Sequence, residues 1–461
     1  VAASNFGGAI MSSSTFNTYN PATGDLLNTY KYLNEEEAKK ELLHAQKDFE
    51  VWRKSTFAER WETALALAEM LRRYKNDIVE SMSKEMGKST AEGKAEVDKC
   101  IATCEYYAKD GEKLLSPRKV ESGYQKSWVS FQPQGVILSI MPWNFPLWQV
   151  MRFAVPAIMA GNVIILKHAD ITTGTAEIIA KVFADVRKDI TLLRHMPMDH
   201  DVVATLIGNP LVRGVTFTGS SRGGKEVAIT AAKHLKKTVL ELGGSDAYLI
   251  LEDANLEWAA KTCVKARLVN NGQSCVAGKR FIVVESVAKK FTELYVEAMK
   301  KEEAKPLAHK RFQKQIAEQV EILKSVGGKV LLGGTMPEGA GAFYPPTVML
   351  FEKDHAKIHS EEVFGPVASI IVAKNQQEAF KMANEGPYGL GGGIFTANEE
   401  KGRELIEKNL DAGFVVVNDY VKSDPRLPFG GVKDSGYGRE LGEFGIMEFV
   451  NIKTVAVGNV L

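Results

Sequence analysis

Cys275 closes the run Asn270-Asn271-Gly272-Gln273-Ser274-Cys275, a polar turn containing glycine that would present a thiol to a substrate. A thiolate is the reactive form of such a residue, and a base or a local positive field must help to produce it near neutral pH. Glu241 lies 34 residues upstream, at the end of the apolar run Thr238-Val239-Leu240 and just before Leu242, Gly243 and Gly244. The two glycines would let another group come close. The pair offers a nucleophile and a possible base. Read locally, Cys275 also fits a buried inert cysteine, and Glu241 a strand-end carboxylate held in an ion pair.

Two further segments have the chemistry of anion binding. Phe217-Thr218-Gly219-Ser220-Ser221-Arg222-Gly223-Gly224 follows a strand pattern and opens the helical stretch from Lys225 to His234. Backbone N–H groups and the positive end of a helix dipole at such a turn suit a pyrophosphate, although a plain tight turn has the same composition. Lys167 ends the run Val163-Ile164-Ile165-Leu166, and Asp170 follows three residues later. A cation and a carboxylate just past a parallel strand stand where nucleotide hydroxyls and phosphates bind; a solvated loop pair is the alternative.

These residues need a scaffold, and the pattern for one is present. From Asn34 to Lys113 the sequence is helical, with Glu35 to Phe49 amphipathic and Thr56-Phe57-Ala58-Glu59 a capping box. Trp61, Ala64, Leu65, Ala68 and Leu71 have the spacing of a buried stripe. Short apolar runs rich in β-branched residues then recur at 135–140, 162–167, 214–218, 238–242, 247–251, 281–284, 367–373 and 413–418, many of them separated by helical patterns. Alternation of this kind predicts parallel α/β sheets in two lobes. Tyr124 to Gln134 and, less cleanly, Val450 to Val460 alternate apolar and polar residues as strands exposed on one side do. They predict a sheet arm that pairs with itself and with another subunit.

Composition narrows the function. The 461 residues carry 58 Lys and Arg against 57 Asp and Glu, so no global charge favours nucleic acid or an anionic membrane surface. A chain of this length predicts about two to four domains. Four cysteines make no disulfide framework and point to a reducing compartment. Cys100 and Cys104 share a helix face and read as core; the eight histidines show no metal-ligand spacing, and no metal is expected. No apolar run approaches a membrane span, so the protein reads as cytoplasmic. Residues 1–10, ahead of Met11, have no packing pattern and read as a remnant of expression.

Taken together, Pro142-Trp143-Asn144-Phe145-Pro146, Lys167, Phe217-Thr218-Gly219-Ser220, Glu241-Leu242-Gly243-Gly244, Gly272-Gln273-Ser274-Cys275, Glu361-Glu362-Val363-Phe364-Gly365-Pro366 and Pro428-Phe429-Gly430-Gly431-Val432-Lys433 resemble the aldehyde dehydrogenase superfamily. The motifs occur in the family's order, and the match runs from about Tyr19 to the C-terminus. The segment from Ser423 to Glu440 is most similar to bacterial succinate semialdehyde dehydrogenases.

The resemblance implies an α/β fold of two parallel domains, a Rossmann-like cofactor domain and a catalytic domain, with a β arm for oligomerisation. It places the NAD-binding domain at 11–117 and 134–242 with 415–445 packing nearby, the catalytic domain at 243–414, and the arm at 118–133 and 446–461. It implies Cys275 as nucleophile, Glu241 as general base and Asn144 as oxyanion donor. For the cofactor it implies Trp143, Lys167, Asp170, Gly219, Ser220, Gly224, Glu362 and Phe364. A carboxylate at Asp170 repels a 2′-phosphate, so NAD is expected ahead of NADP. Coenzyme A-acylating relatives generally lack the glutamate found here as Glu241, which favours hydrolysis to the free acid.

The implied reaction is NAD(P)-dependent oxidation of succinate semialdehyde, or a similar ω-carboxylate aldehyde, through a cysteine thiohemiacetal and thioester. The implied carboxylate holder is Arg152, in the manner of a bidentate guanidinium. A second arginine that some relatives place six residues before the nucleophile is Val269 here, leaving Arg426 as a replacement and Ser423 as a weaker candidate. The alternatives are a broad-specificity enzyme for uncharged aldehydes and a catalytically silent binding protein of the same fold. The expected partners are a small-molecule aldehyde and further copies of the chain, as homodimer or homotetramer, with no nucleic acid or membrane. Stretches 186–199 and 301–307 run short against the family pattern.

Overall fold

The structure, a computed structural model, describes residues 14–458; the N-terminal stretch 1–10 and the end of the last expected strand lie outside the described residues. Four helices, Glu35–Trp52, Phe57–Arg73, Lys75–Met86 and Thr90–Leu115, open the chain after an antiparallel hairpin of Thr15–Tyr19 and Leu26–Lys31. The first two helices begin with reciprocal capping boxes, Asn34 with Glu37 and Thr56 with Glu59, so side chains satisfy backbone donors that would otherwise be orphaned.

One expectation here is corrected. Ala64, Ala68 and Leu71 are buried with Leu67, but Trp61 is 44% exposed and Leu65 37% exposed. The buried stripe is rotated by about one position, to Arg60, Ala64, Leu67, Ala68 and Leu71, because Arg60 donates to the Met159 carbonyl at 3.2 Å and turns that flank inward. Cys100 and Cys104 lie on the longest helix and are buried, as their spacing predicts.

Two sheets follow. The six-stranded one has the spatial order Gly436–Tyr437, Lys237–Glu241, Val212–Thr218, Val136–Met141, Val163–His168, Leu193–His195, parallel except for the Gly436–Tyr437 strand. The chain first adds strands on one side of Val136–Met141 and then on the other. The switch point therefore falls between Val136–Met141 and Val212–Thr218, where a doubly wound sheet opens a crevice at its strand ends. The loops leaving these two strands carry Asn144 and Gly219.

The seven-stranded sheet runs Lys329–Leu332, Thr347–Phe351, Val367–Ala373, Gly278–Val284, Asp246–Ile250, Gly391–Phe395, Phe414–Val417, and only the pairing of Lys329–Leu332 is antiparallel. Its central strands are covered on both faces. Tyr248, Ile250, Phe281 and Val283 enter one core, while Ala247, Leu249, Ile282 and Val284 enter another. Double burial explains why these strands read as continuous apolar runs instead of alternating ones.

Lys126–Pro133 pairs antiparallel with Val450–Val457, in register from Val450 opposite Pro133 to Val457 opposite Lys126, and with Arg118–Lys119 on its other side. The two segments expected to meet do so across more than 300 residues of chain. Of the two short stretches, one supplies the edge strand Leu193–His195 and the other pairs Lys305–Pro306 with Phe343–Tyr344. Among the described residues no helix is long and apolar enough to cross a membrane.

Candidate active site

The nucleophile turn is an unusual piece of backbone. Asn270, Asn271 and Gly272 take φ values of 52°, 55° and 74° in succession, a left-handed path that asparagine tolerates and glycine adopts freely. At Gly272 a side chain would also place its Cβ 2.3 Å from the Gly365 carbonyl oxygen, so glycine is required twice over. The turn is pinned from several directions. Asn270 donates from Nδ2 to the Asn144 carbonyl at 2.7 Å, its amide donates to Glu92 at 2.8 Å, and Gln273 accepts from the Ala308 amide at 2.8 Å. Lys279 donates to the carbonyls of Ser274 at 2.8 Å and Cys275 at 2.6 Å.

Cys275 emerges from this turn half-buried and lines a cavity of about 390 Å³ together with Phe145, Trp148, Arg152, Tyr420 and Phe429. Burial pushes its thiol up to about 11, while the positive charges of Arg152 and Lys279 pull the other way. Asn144 is tied to the same turn, Nδ2 donating to the Gln273 carbonyl at 3.0 Å, two residues before Cys275, but it is not among the residues lining the cavity.

The Asn144 loop is held by groups that the sequence reading did not select. Lys88 donates to the Asn144 carbonyl at 3.0 Å and forms a buried ion pair with Glu96. Glu96 in turn accepts from the amides of Leu147 at 3.0 Å and Trp148 at 2.9 Å, which satisfies donors at the start of helix Trp148–Met159 and complements its dipole. The only sequence signal was the placement of Glu92, Glu96 and Lys99 at helical spacing, which is equally the pattern of a solvated face.

Glu241 is buried at the end of strand Lys237–Glu241, with no hydrogen-bond partner for either carboxylate oxygen among the described residues. It is not among the residues lining the cavity of Cys275. Its Oε1 lies against the Gly430 backbone, 2.8 Å from where a Cβ there would stand. Burial raises its pKa well above the usual carboxylate range; Arg152 opposes that rise and Glu440 adds to it. Burial thus favours the protonated form of this side chain.

Arg152 lines the cavity wall but is already engaged. Its guanidinium is buried in an ion pair with Glu440, donates to Thr218 Oγ1 at 3.3 Å and lies over the Phe429 ring at 4.7 Å. Ser423 lines the same cavity. Arg426 does not: its guanidinium is exposed and folds onto Asp424 at 2.6 Å, two residues away. The two residues stand two positions apart on the same loop and make that local pair, a relationship that motif position could not reveal.

On the other side of the nucleotide-type crevice, Lys167 donates to Asp170 at 2.9 Å and Tyr32 donates to the second oxygen of Asp170 at 2.5 Å. Tyr32 was not selected from sequence, being 138 residues away. Ser220 caps helix Ser221–Lys233 by accepting from the Gly223 amide at 3.2 Å. A side chain at Gly224 would collide with Leu242 at 2.4 Å, so glycine lets the first turn of the helix pack closely against the segment after strand Lys237–Glu241. Trp143 stacks on Phe312 with ring centroids 4.7 Å apart and meets Phe364 edge-on at 5.8 Å. Glu362 accepts from the Gly244 amide at 2.9 Å, and burial raises its pKa against the pull of Lys279. A carboxylate and a lysine past a parallel strand, a glycine-rich helix start and a second carboxylate beside the Cys275 turn fit the hydroxyls and phosphates of a dinucleotide.

His359 has a tertiary relationship that its linear spacing hides. It joins Asp354 and Glu385 in a cluster whose ligand atoms lie within 4.8 Å of one another. Both ring nitrogens are already occupied there, Nδ1 by Arg280 at 2.9 Å and Nε2 by Asp354 at 2.6 Å.

A cavity-lining cysteine set where a dinucleotide-type sheet meets a second, mostly parallel sheet is the arrangement expected of an oxidoreductase. The chain belongs to the aldehyde dehydrogenase family, whose sequence model, described as "Aldehyde dehydrogenase family", matches residues 10–455. It is 41% identical over 448 residues to a protein of Synechocystis sp. named as a probable succinate-semialdehyde dehydrogenase, NADP(+), covering 95% of this chain and 98% of that one. It is 40% identical over 446 residues to a succinate semialdehyde dehydrogenase, NAD(P)+, of Escherichia coli strain K12, covering 95% and 96%. The solved structure of a succinic semialdehyde dehydrogenase from Streptococcus pyogenes with NADP+ superposes with a TM-score of 0.93 at 34% identity, covering 96% of this chain and all of that one. An NAD(P)-dependent aldehyde dehydrogenase of α/β fold is what the sequence predicts.

Proposed function

We propose that this protein oxidises succinate semialdehyde, or a close ω-carboxylate aldehyde, to the acid. The observation that carries the reading is the cavity on which Cys275 opens, aromatic along much of its wall yet lined also by the basic side chains of Lys99 and Arg152. The names of the relatives at about 40% identity support the same substrate.

Each step has a residue to perform it. The Cys275 thiolate adds to the aldehyde carbon and forms a thiohemiacetal. Asn144 Nδ2 has two hydrogens; one goes to the Gln273 carbonyl, which leaves the second for the oxyanion. Trp143, Glu362 and Phe364 would hold a nicotinamide ring, which would supply the acceptor for the hydride that leaves this carbon. The acyl group then remains on sulfur as a thioester. Water attacks it as Glu241 takes the proton, releasing the acid and restoring the thiolate. Burial favours the protonated form of Glu241 and the base step needs the ionised one, so hydrolysis gains from a rise in pH.

The cofactor contacts are Trp143, Lys167, Asp170, Gly219, Ser220, Gly224, Glu362 and Phe364. Asp170, fixed on two sides by Lys167 and Tyr32, favours NAD by repelling a 2′-phosphate. The NADP(+) in the relatives' names supports the opposite preference, and Asp170→Ser decides between them. The substitution raises kcat/KM with NADP relative to NAD by about tenfold or more, the value of one contact to a charged group; an unchanged ratio removes Asp170 from cofactor choice. The half of the chain around the six-stranded sheet, 11–117 and 134–242, acts as the cofactor domain and 243–414 as the catalytic one. The arm of 118–133 and 446–461 leaves apolar side chains such as Ile452 exposed, which supports a homodimer or homotetramer. Four free thiols support a reducing, cytoplasmic setting.

The test is a comparison of kcat/KM for succinate semialdehyde and butanal, equal in carbon number and different in charge. The reading expects a clear preference for the carboxylate. Equal rates for both establish the broad-specificity alternative.

A further inference from the structure

The cavity of Cys275 is lined by three cations, Lys99, Arg152 and Lys422. Two of them are spent. Arg152 is paired with the buried Glu440, so the two together add no net charge to the wall. Lys422 is exposed and bound to Asp419 at 3.0 Å. Among the described residues Lys99 has no carboxylate within ion-pair distance. Its Nζ donates to Ser423 Oγ at 2.6 Å and lies 4.2 Å from the centre of the Trp148 ring, and both of those residues line the cavity as well.

The nearby acids are committed elsewhere. Glu92 accepts from the Asn270 amide at 2.8 Å and from Ser89 Oγ at 2.6 Å. Glu96 serves Lys88 and the amides of Leu147 and Trp148. Asp424 holds Arg426. An ammonium that is half-buried, steered by a hydroxyl and an aromatic face, and not neutralised by any side chain is poised for an anion that arrives with the substrate.

We propose that Lys99, presented by Ser423 and Trp148, binds the carboxylate of the substrate while its aldehyde carbon is at Cys275. This deepens the proposed function and rests on it, since it names the group that recognises an ω-carboxylate aldehyde. Lys99 fills the place of the second cation for which Val269 and Arg426 are unsuited: Val269 bears no charge, and Arg426 stands outside the cavity. Ser423, on the loop opposite helix Thr90–Leu115, orients the ammonium and offers its own O–H to the second carboxylate oxygen. Burial pushes the Lys99 ammonium down to about 8, with the charge of Arg152 adding to the effect; a carboxylate beside it restores the charged form.

The experiment measures kcat/KM of the wild type, Lys99→Met and Lys99→Arg with succinate semialdehyde and with butanal at saturating cofactor. Methionine retains an alkyl stem against Trp148 and removes the charge. The ratio of the two substrates falls roughly 10- to 100-fold in Lys99→Met, chiefly through KM, as for loss of one hydrogen-bonded charge contact, and recovers in part in Lys99→Arg. Ser423→Asp supplies a second route that leaves the helix intact: a carboxylate placed against Lys99 neutralises it and lowers the same ratio. A wild type that favours succinate semialdehyde, with a ratio unmoved in Lys99→Met or in Ser423→Asp, overturns the role of Lys99 and leaves the proposed function standing. A wild type that does not favour the carboxylate substrate overturns both.

Discussion

The two sides of the cavity are built on different principles. The nucleophile side is a short stretch of chain, Asn270 to Cys275, whose shape is dictated by backbone: three left-handed residues in a row and a glycine with no room for a side chain. The opposite side is assembled from remote pieces, Lys99 from an early helix and Ser423 from a loop 324 residues later, joined by one hydrogen bond. In the proposed reading the first side sets what reaction occurs and the second which molecule enters. A local backbone device tolerates little variation in sequence, whereas a charge at the far wall can be delivered from any element that reaches it.

Substitutions can break or sharpen this contrast. Cys275→Ala has the largest effect, lowering kcat/KM roughly 10,000-fold or more for charged and uncharged aldehydes alike, as expected of a nucleophile; aldehyde-dependent reduction of NAD that survived would break the assignment. Glu241→Gln lowers steady turnover by about 100- to 10,000-fold, the range for a positioned base. Stopped-flow absorbance still shows one reduced nicotinamide per site in the first turnover, because acylation precedes the step that needs the carboxylate. A burst lost along with turnover would place Glu241 before hydride transfer.

Glu96→Ala reaches the nucleophile side from a distance. It strands the buried Lys88 and frees two amides at a helix start, and costs about 3–5 kcal/mol of stability in a denaturant titration. A loss below about 1 kcal/mol would show that the Asn144 loop holds itself, without the ion pair. The mildest probe is alkylation. With the thiol raised to about 11 by burial, its thiolate fraction in the cofactor-free protein increases with pH. Iodoacetamide labelling of Cys275 therefore speeds up about tenfold per pH unit from about pH 7 to about pH 10. A rate already flat at neutral pH would mean that Lys279 and Arg152 outweigh burial.

The parts of this site that could be read from sequence are those in which one residue type satisfies a demand made by its immediate neighbours. The run up to Cys275, the strand-ending Lys167 and Glu241, and the paired arm strands belong here. Trp61 and Leu65 show the limit on a helix, where a shift of one position in the buried face follows from a contact between Arg60 and Met159, 99 residues away. Lys88, Glu96 and Tyr32 were missed for a similar reason. Each is a charged or polar residue that looks solvated until its distant partner is known.

The sequence by itself determined the fold class and the turn that presents Cys275, because periodic burial and glycine-dependent turns are short-range properties encoded in consecutive residues. Only the tertiary structure decided that Arg426 faces away, that Arg152 is already neutralised, and that Lys99 is left without a counter-charge. The state of a charge depends on every group within a few ångströms, and those groups come from segments that the chain order keeps far apart.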